Sequence, residues 1–208
     1  MSYLCTEDRF LETVKDHQMK VLRDNGVERH IQFRCNGRYF ESFELITWPG
    51  HLMITGDYGT YVFCRIEDMF AFFRTDGSKV RLPINPRYWG EKLLSVCKLG
   101  GFMEFSEERF KSNVIDMIKQ QFDGEDAERE SEVIADVEES IFPITDDGMV
   151  RACDAVIEYK HENGFQFIDA WDWVGGCNDY TYHYIWCLYA IVWGIQQYDK
   201  SKESLEVT

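Results

Sequence analysis

Apolar positions along the chain change period several times, and each change marks an element. Thr6 is a good helix-starting residue, Glu7 and Asp8 follow it, and Phe10, Val14 and Val21 recur at roughly helical spacing. That pattern predicts one helix running as far as Asp24-Asn25-Gly26, with Gly26 as a left-handed cap. The period then falls to two. HIQFRC puts Ile31, Phe33 and Cys35 on one face, Asn36-Gly37 is a hairpin signal, and RYFESFELITW continues with Tyr39, Phe43 and Leu45. Pro49-Gly50 punctuates, and HLMITGDYGTYVFCR reads as a further strand pair turning at Gly56-Asp57-Tyr58-Gly59. These segments predict a four-stranded antiparallel meander over residues 29–65.

Helical periods return afterwards. IEDMFAFFR predicts a short helix whose Phe70 and Phe73 cover the sheet, and a loop around Asp76-Gly77 follows. INPRYWGEKLLSVCKL fits a second helix, with Asn85 as N-cap and Pro86 at the first position. Ser106 opens SEERFKSNVIDMIKQQF, with Glu107 and Glu108 suiting its first turn. In DDGMVRACDAVIEYKHENG, Val150, Cys153, Val156 and Ile157 repeat at helical spacing, and Gly164 closes the segment. FQFIDAWDWVGGCNDY is ambiguous, and TYHYIWCLYAIVWGIQQYDK predicts a final helix. The fold class is α+β: an N-terminal antiparallel β-meander flanked by helices, with a mainly helical acidic C-terminal half. Residues 1–105 are expected to form the α+β sheet region and residues 106–208 the acidic helical region, packed as one compact unit.

Charge changes this picture. The 208 residues carry 37 acidic and 22 basic side chains, a net charge of −15, and 45% of them are hydrophobic, ample for a core. Residues 1–100 have a net charge of +1 and residues 101–208 a net of −16. Such asymmetry points to a partner with a basic surface, or to a protein that is simply acidic and soluble. It argues against direct binding of nucleic acid or of an anionic membrane. The most apolar stretch, Ile185 to Ile195, is shorter than the roughly 20 residues a membrane span needs. Seven cysteines, an odd number with no CxxC, read as reduced thiols of a cytosolic protein, and no leader segment is evident.

The densest acidic stretch is DGEDAERESEVIADVEES, residues 123–140. Placed on a helix, Glu125, Glu128, Glu132, Asp136 and Glu139 share a stripe, with Ala127, Val133, Ile134, Val137 and Ile141 opposite. The stripe is either the wet face of an ordinary surface helix or a partner-binding surface. A carboxylate at each turn repeats about every 5 to 6 Å, comparable with the charge spacing of a nucleic-acid strand.

Catalytic signals are weaker. The five histidines form no HxH, HxxxH or HExxH, so no metal site and no cofactor is expected. There is no P-loop, no GxGxxG after a strand and no GxSxG. Asp147 with Glu158 and Lys160 of an ExK resembles the constellation of a metal-dependent nuclease, but that pattern needs its ExK on a strand and here it sits in a helical period. Glu41, Glu44 and Asp57 with Arg34 and Arg38 form a polar cluster at the sheet edge, read as cross-strand salt bridges or as an acid–base pair. Trp186 and Trp193 read as core, whereas Trp48, Trp171 and Trp173 are either core or exposed interface anchors.

TWPGHLMITGDYGTYVFCRIEDMFAFFR, INPRYWGEKL and WCLYAIVWGIQQYD together resemble a family of uncharacterised proteins encoded by tailed bacteriophages and prophages. The resemblance runs from Met1 to about Asp199 and carries no catalytic motif. It implies an accessory protein expressed in the bacterial cytoplasm, of a kind that blocks nucleic-acid-handling host complexes, including CRISPR effectors; the acidic stripe, taken with it, predicts that such a block works through a DNA-imitating surface. The alternatives are a metal-dependent nuclease or nucleotide-processing enzyme and a phage structural or assembly protein.

Overall fold

The computed structural model describes residues 5–35, 40–74, 80–98 and 100–206. Asn36-Gly37, Arg38, Tyr39 and the Asp76-Gly77 loop lie outside them. The chain divides into two units: unit 1 is Met1–Phe102 with Tyr180–Thr208, and unit 2 is Met103–Asp179. The expected division after residue 105 differs from this. It falls close to the first crossing but misses the return of the chain to unit 1.

Unit 1 is built on a six-stranded antiparallel sheet in simple sequential order: β1 His17–Asn25, β2 Glu28–Cys35, β3 Phe43–Trp48, β4 His51–Gly56, β5 Gly59–Cys64 and β6 Leu93–Ser95. The meander is thus correct as an expectation, with one strand added at each edge. The helix expected from Thr6 stops early: α1 is Glu7–Val14, capped by the Thr6 hydroxyl, and residues 17–25 pair with β2 instead. No residue of β1 is fully buried and only His17 and Met19 are half-buried, so the strand writes little alternation into the sequence, and pairing with β2 decides its conformation. Gly26 does take a left-handed φ of +61°, but in the β1–β2 turn rather than at a helix end. The second helix is also short. α3 covers Pro86–Gly90, with the expected Asn85 cap, and Leu93–Ser95 is drawn into the sheet beside Val62 and Phe63.

One face of the sheet carries Ile31, Phe33, Phe43, Leu45, Leu52, Ile54, Tyr61 and Phe63, all fully buried. Against it pack Phe10 and Val14 of α1, Met69, Phe70 and Phe73 of α2 (Met69–Phe73), Trp89 of α3, and the final helix. That helix, Tyr182–Glu206, is buried at Trp186, Cys187 and Leu188 and again at Ala190, Ile191 and Val192, so it is enclosed around its circumference. Trp186 is buried and Trp193 partly so, as expected of core residues. On the opposite face of the sheet His30, Ile46, Met53 and Val62 lie in register, half-buried.

Unit 2 is mainly helical. Its helices are α4 Glu107–Phe122, α5 Ala127–Ser140, α6 Met149–Glu158 and α7 Ala170–Trp173, with a 3-10 turn at Phe142–Asp147. A two-stranded ladder, β7 Met103–Phe105 with β8 Asn178–Tyr180, precedes the final helix, numbered α8. Phe110, Val114 and Ile118 of α4 and Val133, Val137 and Ile141 along α5 recur every fourth residue and form the core with Ala152, Val156 and Phe165. Asp123 and Gly124, both left-handed, reverse the chain between α4 and α5. Gly164 is left-handed too, but α6 has already ended at Glu158. Among the described residues, no helix is long and apolar enough to cross a membrane.

Candidate interaction surface

The division into units concentrates the charge. Unit 2 contains 21 acidic and 6 basic residues, a net of −15, while unit 1 contains 16 of each and is neutral. The whole net charge of the chain therefore sits in one 77-residue unit. Seventeen of those 21 carboxylates are exposed. Among the described residues of unit 2, only three ion pairs form: Arg109–Asp179 at 2.8 Å, Lys111–Glu107, and Arg129–Asp126 at 3.8 Å. Eighteen carboxylates have no basic partner within the unit.

Helix α5 supplies the centre of this surface. Its N-cap is Asp126, whose Oδ1 accepts from the Arg129 N–H at 3.1 Å. Its apolar side lies as the periodicity predicts, with Val133, Val137 and Ile141 buried and Ile134 half-buried. Ala127, expected on that side, is exposed at the first turn. Glu128, Glu132 and Glu139 fall within about 40° of one another and extend about 16 Å along the axis. All three are exposed.

The other two members of the expected stripe differ. Glu125 precedes the helix, in the turn where its N–H donates to the Phe122 carbonyl at 2.9 Å. Asp136 is half-buried and accepts a hydrogen bond of 2.5 Å from the Tyr159 hydroxyl. Burial and the neighbouring Asp136 carboxylate push the Tyr159 hydroxyl well above the usual tyrosine range. Asp136 is thus a tie between α5 and the segment after α6. The sequence stripe missed carboxylates that only folding gathers into the same unit: Glu107, Glu108 and Asp116 of α4, Asp154 of α6, and Asp169 and Asp172 around α7, all exposed.

The nuclease constellation is not assembled. Asp147 ends the 3-10 turn and Glu158 ends α6, so a ten-residue helix separates them by about 15 Å. A shared Mg²⁺ would need ligands at about 2.1 Å. Glu158 and Lys160 straddle a helix end rather than a strand, and Asp147, Glu158 and Lys160 are all exposed. No group of three or more His, Cys, Asp or Glu side chains able to hold a metal occurs among the described residues.

The carboxylates of the sheet cluster are also engaged separately. Glu44 accepts from His30 Nε2 at 2.6 Å, Gln32 Nε2 at 2.6 Å and Arg34 at 3.1 Å. Burial would raise its carboxyl, but the hydrogen bonds from His30, Gln32 and Arg34 outweigh burial and hold it below the usual range. Asp57 accepts from the Ser42 N–H, and Glu41 from the Tyr58 hydroxyl. These are cross-strand and turn contacts, and they bring no two carboxyls together as acid and base. Compared with known proteins, the chain matches no family model, no curated protein and no solved structure.

Proposed function

We propose that this chain is a non-enzymatic binding protein of phage or prophage origin. It sets the acidic surface of unit 2 on a basic, nucleic-acid-binding surface of a host complex, such as a CRISPR effector, in place of nucleic acid. The observation that carries this reading is the confinement of the entire −15 charge to unit 2, mostly on exposed carboxylates without partners. Holding that many like charges on 77 residues disfavours the compact state. A basic partner relieves the repulsion, and the clustered charge speeds encounter and fixes register. The same field repels DNA and RNA themselves.

The test is capture from bacterial lysate at about 0.05 M salt, with a Glu128→Gln/Glu132→Gln/Glu139→Gln variant beside the wild type. The expected result is a basic nucleic-acid-binding complex held by the wild type, displaced by added duplex DNA, released near about 0.5 M salt and largely lost in the variant. A partner retained equally by the variant and indifferent to DNA overturns the reading.

A further inference from the structure

Unit 2 also displays an aromatic side chain that its own fold does not use. Trp171 is 76% exposed and Ile168, three residues before it, is 61% exposed. A protein rarely leaves an indole so open without a purpose at an interface, where tryptophan is among the commonest energetic anchors.

The backbone beneath Trp171 is fixed. Asp169 takes a left-handed φ of +49°, which turns the chain sharply into α7. Ala170 and Val174 are buried and anchor that short helix. Trp173 faces the other way: its ring packs edge-on to Phe167 at 5.6 Å, and its Nε1–H donates to the Ile168 carbonyl at 3.4 Å. Gln121 of α4 clasps the preceding loop, donating to the Gln166 carbonyl and accepting from the Ile168 N–H. Trp171 is therefore held out on a braced turn, and little conformational entropy is lost when something covers it.

Charge decides what covers it. Asp169 and Asp172, both exposed, flank Trp171 in sequence within a unit of net charge −15. A purely apolar partner would leave these carboxylates desolvated and unpaired. A guanidinium satisfies both features, because it stacks flat on an indole and at the same time donates to carboxylates through its fork. The geometry points to Trp171 as the anchor for an arginine-rich protein surface, with one arginine stacking on the indole between Asp169 and Asp172. This rests on the reading of unit 2 as a docking surface for a basic partner, and it names the contact that supplies specificity beyond charge.

Oligo-arginine and oligo-lysine peptides of equal length are the probes, titrated calorimetrically into the full chain at about 0.05 M salt. Both are expected to bind, the arginine peptide more tightly. Bidentate pairing with carboxylates anywhere on the unit also favours arginine, so the wild-type preference alone decides nothing. The deciding variant is Trp171→Ser, expected to weaken the arginine peptide about 5-fold or more and to leave the lysine peptide nearly unchanged. Trp171→Phe restores most of the difference, and the Glu128→Gln/Glu132→Gln/Glu139→Gln variant weakens both peptides alike. An arginine-peptide affinity that Trp171→Ser leaves unchanged, or lowers no more than that of the lysine peptide, overturns this inference and leaves the acidic docking surface standing. Failure of both peptides to bind the wild type overturns both.

Discussion

At the scale of the residue, a largely buried ion pair constrains unit 1. Arg29 is 9% exposed at its side chain, meets both oxygens of Asp68 at 2.8 and 3.2 Å, and stacks over the Phe70 ring at 4.6 Å. Asp68 is at once the N-cap of α2, accepting from the Phe70 N–H at 3.0 Å. Burial would raise its carboxyl, but the hydrogen bonds from Arg29 and the Phe70 N–H outweigh burial and hold it below the usual aspartate range. A carboxyl lowered by folding stabilises the native state above its unfolded value of about 3.9, and that support is lost as pH falls through the folded value. Asp68→Asn is expected to cost about 3 kcal/mol at neutral pH, because it strands a buried guanidinium. The loss should shrink as pH falls from about 4, where the carboxyl of the unfolded chain takes up its proton, through the lower value of the folded state. Urea denaturation of both proteins across that range measures this, and an equal gap at every pH would refute it.

At the scale of the element, close approach of backbones decides where bulk is forbidden. α8 crosses the sheet at Gly194, where an added Cβ would lie 2.8 Å from Leu45 Cδ1 and 3.1 Å from the Phe33 ring. Those neighbours are side chains and have some room to yield. At Gly56, the end of β4, a Cβ would lie 2.2 Å from the Ser42 carbonyl oxygen, which is backbone. Gly194→Ala gains about 1 kcal/mol of helix propensity and loses about 1 to 3 to overpacking, so a net loss of about 1 kcal/mol is expected. Gly56→Ala has no such compensation and is expected to cost more. Chemical denaturation ranks the two, and the reverse order would mean that the β3–β4 region shifts more readily than α8. The sequence marks neither position: Gly194 reads as a mere interruption of a strong helix. Close approach is a property of two segments distant along the chain.

At the scale of the whole molecule, the two units differ in charge as well as in architecture. Unit 1 is neutral and unit 2 carries −15, so added salt acts on them differently. Screening shortens the reach of a charge from about 10 Å at about 0.1 M salt to about 3 Å at about 1 M. Amides buried in α4 and α5 are therefore expected to gain protection from hydrogen exchange as salt rises, while those of β2 to β5 stay nearly unchanged. Equal gains in both units would show that salt acts through general exclusion from the surface and not through relief of repulsion.

Local patterns were enough for much of the architecture. Alternation over β2 to β5 announced the meander, the Asn85-Pro86 and Ser106 starts announced α3 and α4, and the amphipathic repeat of residues 127–141 announced α5 with its buried valines. Each of these signals arises within a few turns or one strand of chain, where residue periodicity maps directly onto a buried face. What needed the tertiary structure was whatever depends on distant partners. β1 and β6 are strands only because β2 and β5 lie beside them. α8 belongs to the sheet rather than to the helices that precede it. Asp136 leaves the acidic stripe because Tyr159 reaches it, and Asp147 and Glu158 are kept apart by the helix between them. Composition fixed the sign and size of the charge, but only folding confined all of it to one unit, because which residues share a surface is settled by long-range contacts that no local pattern records.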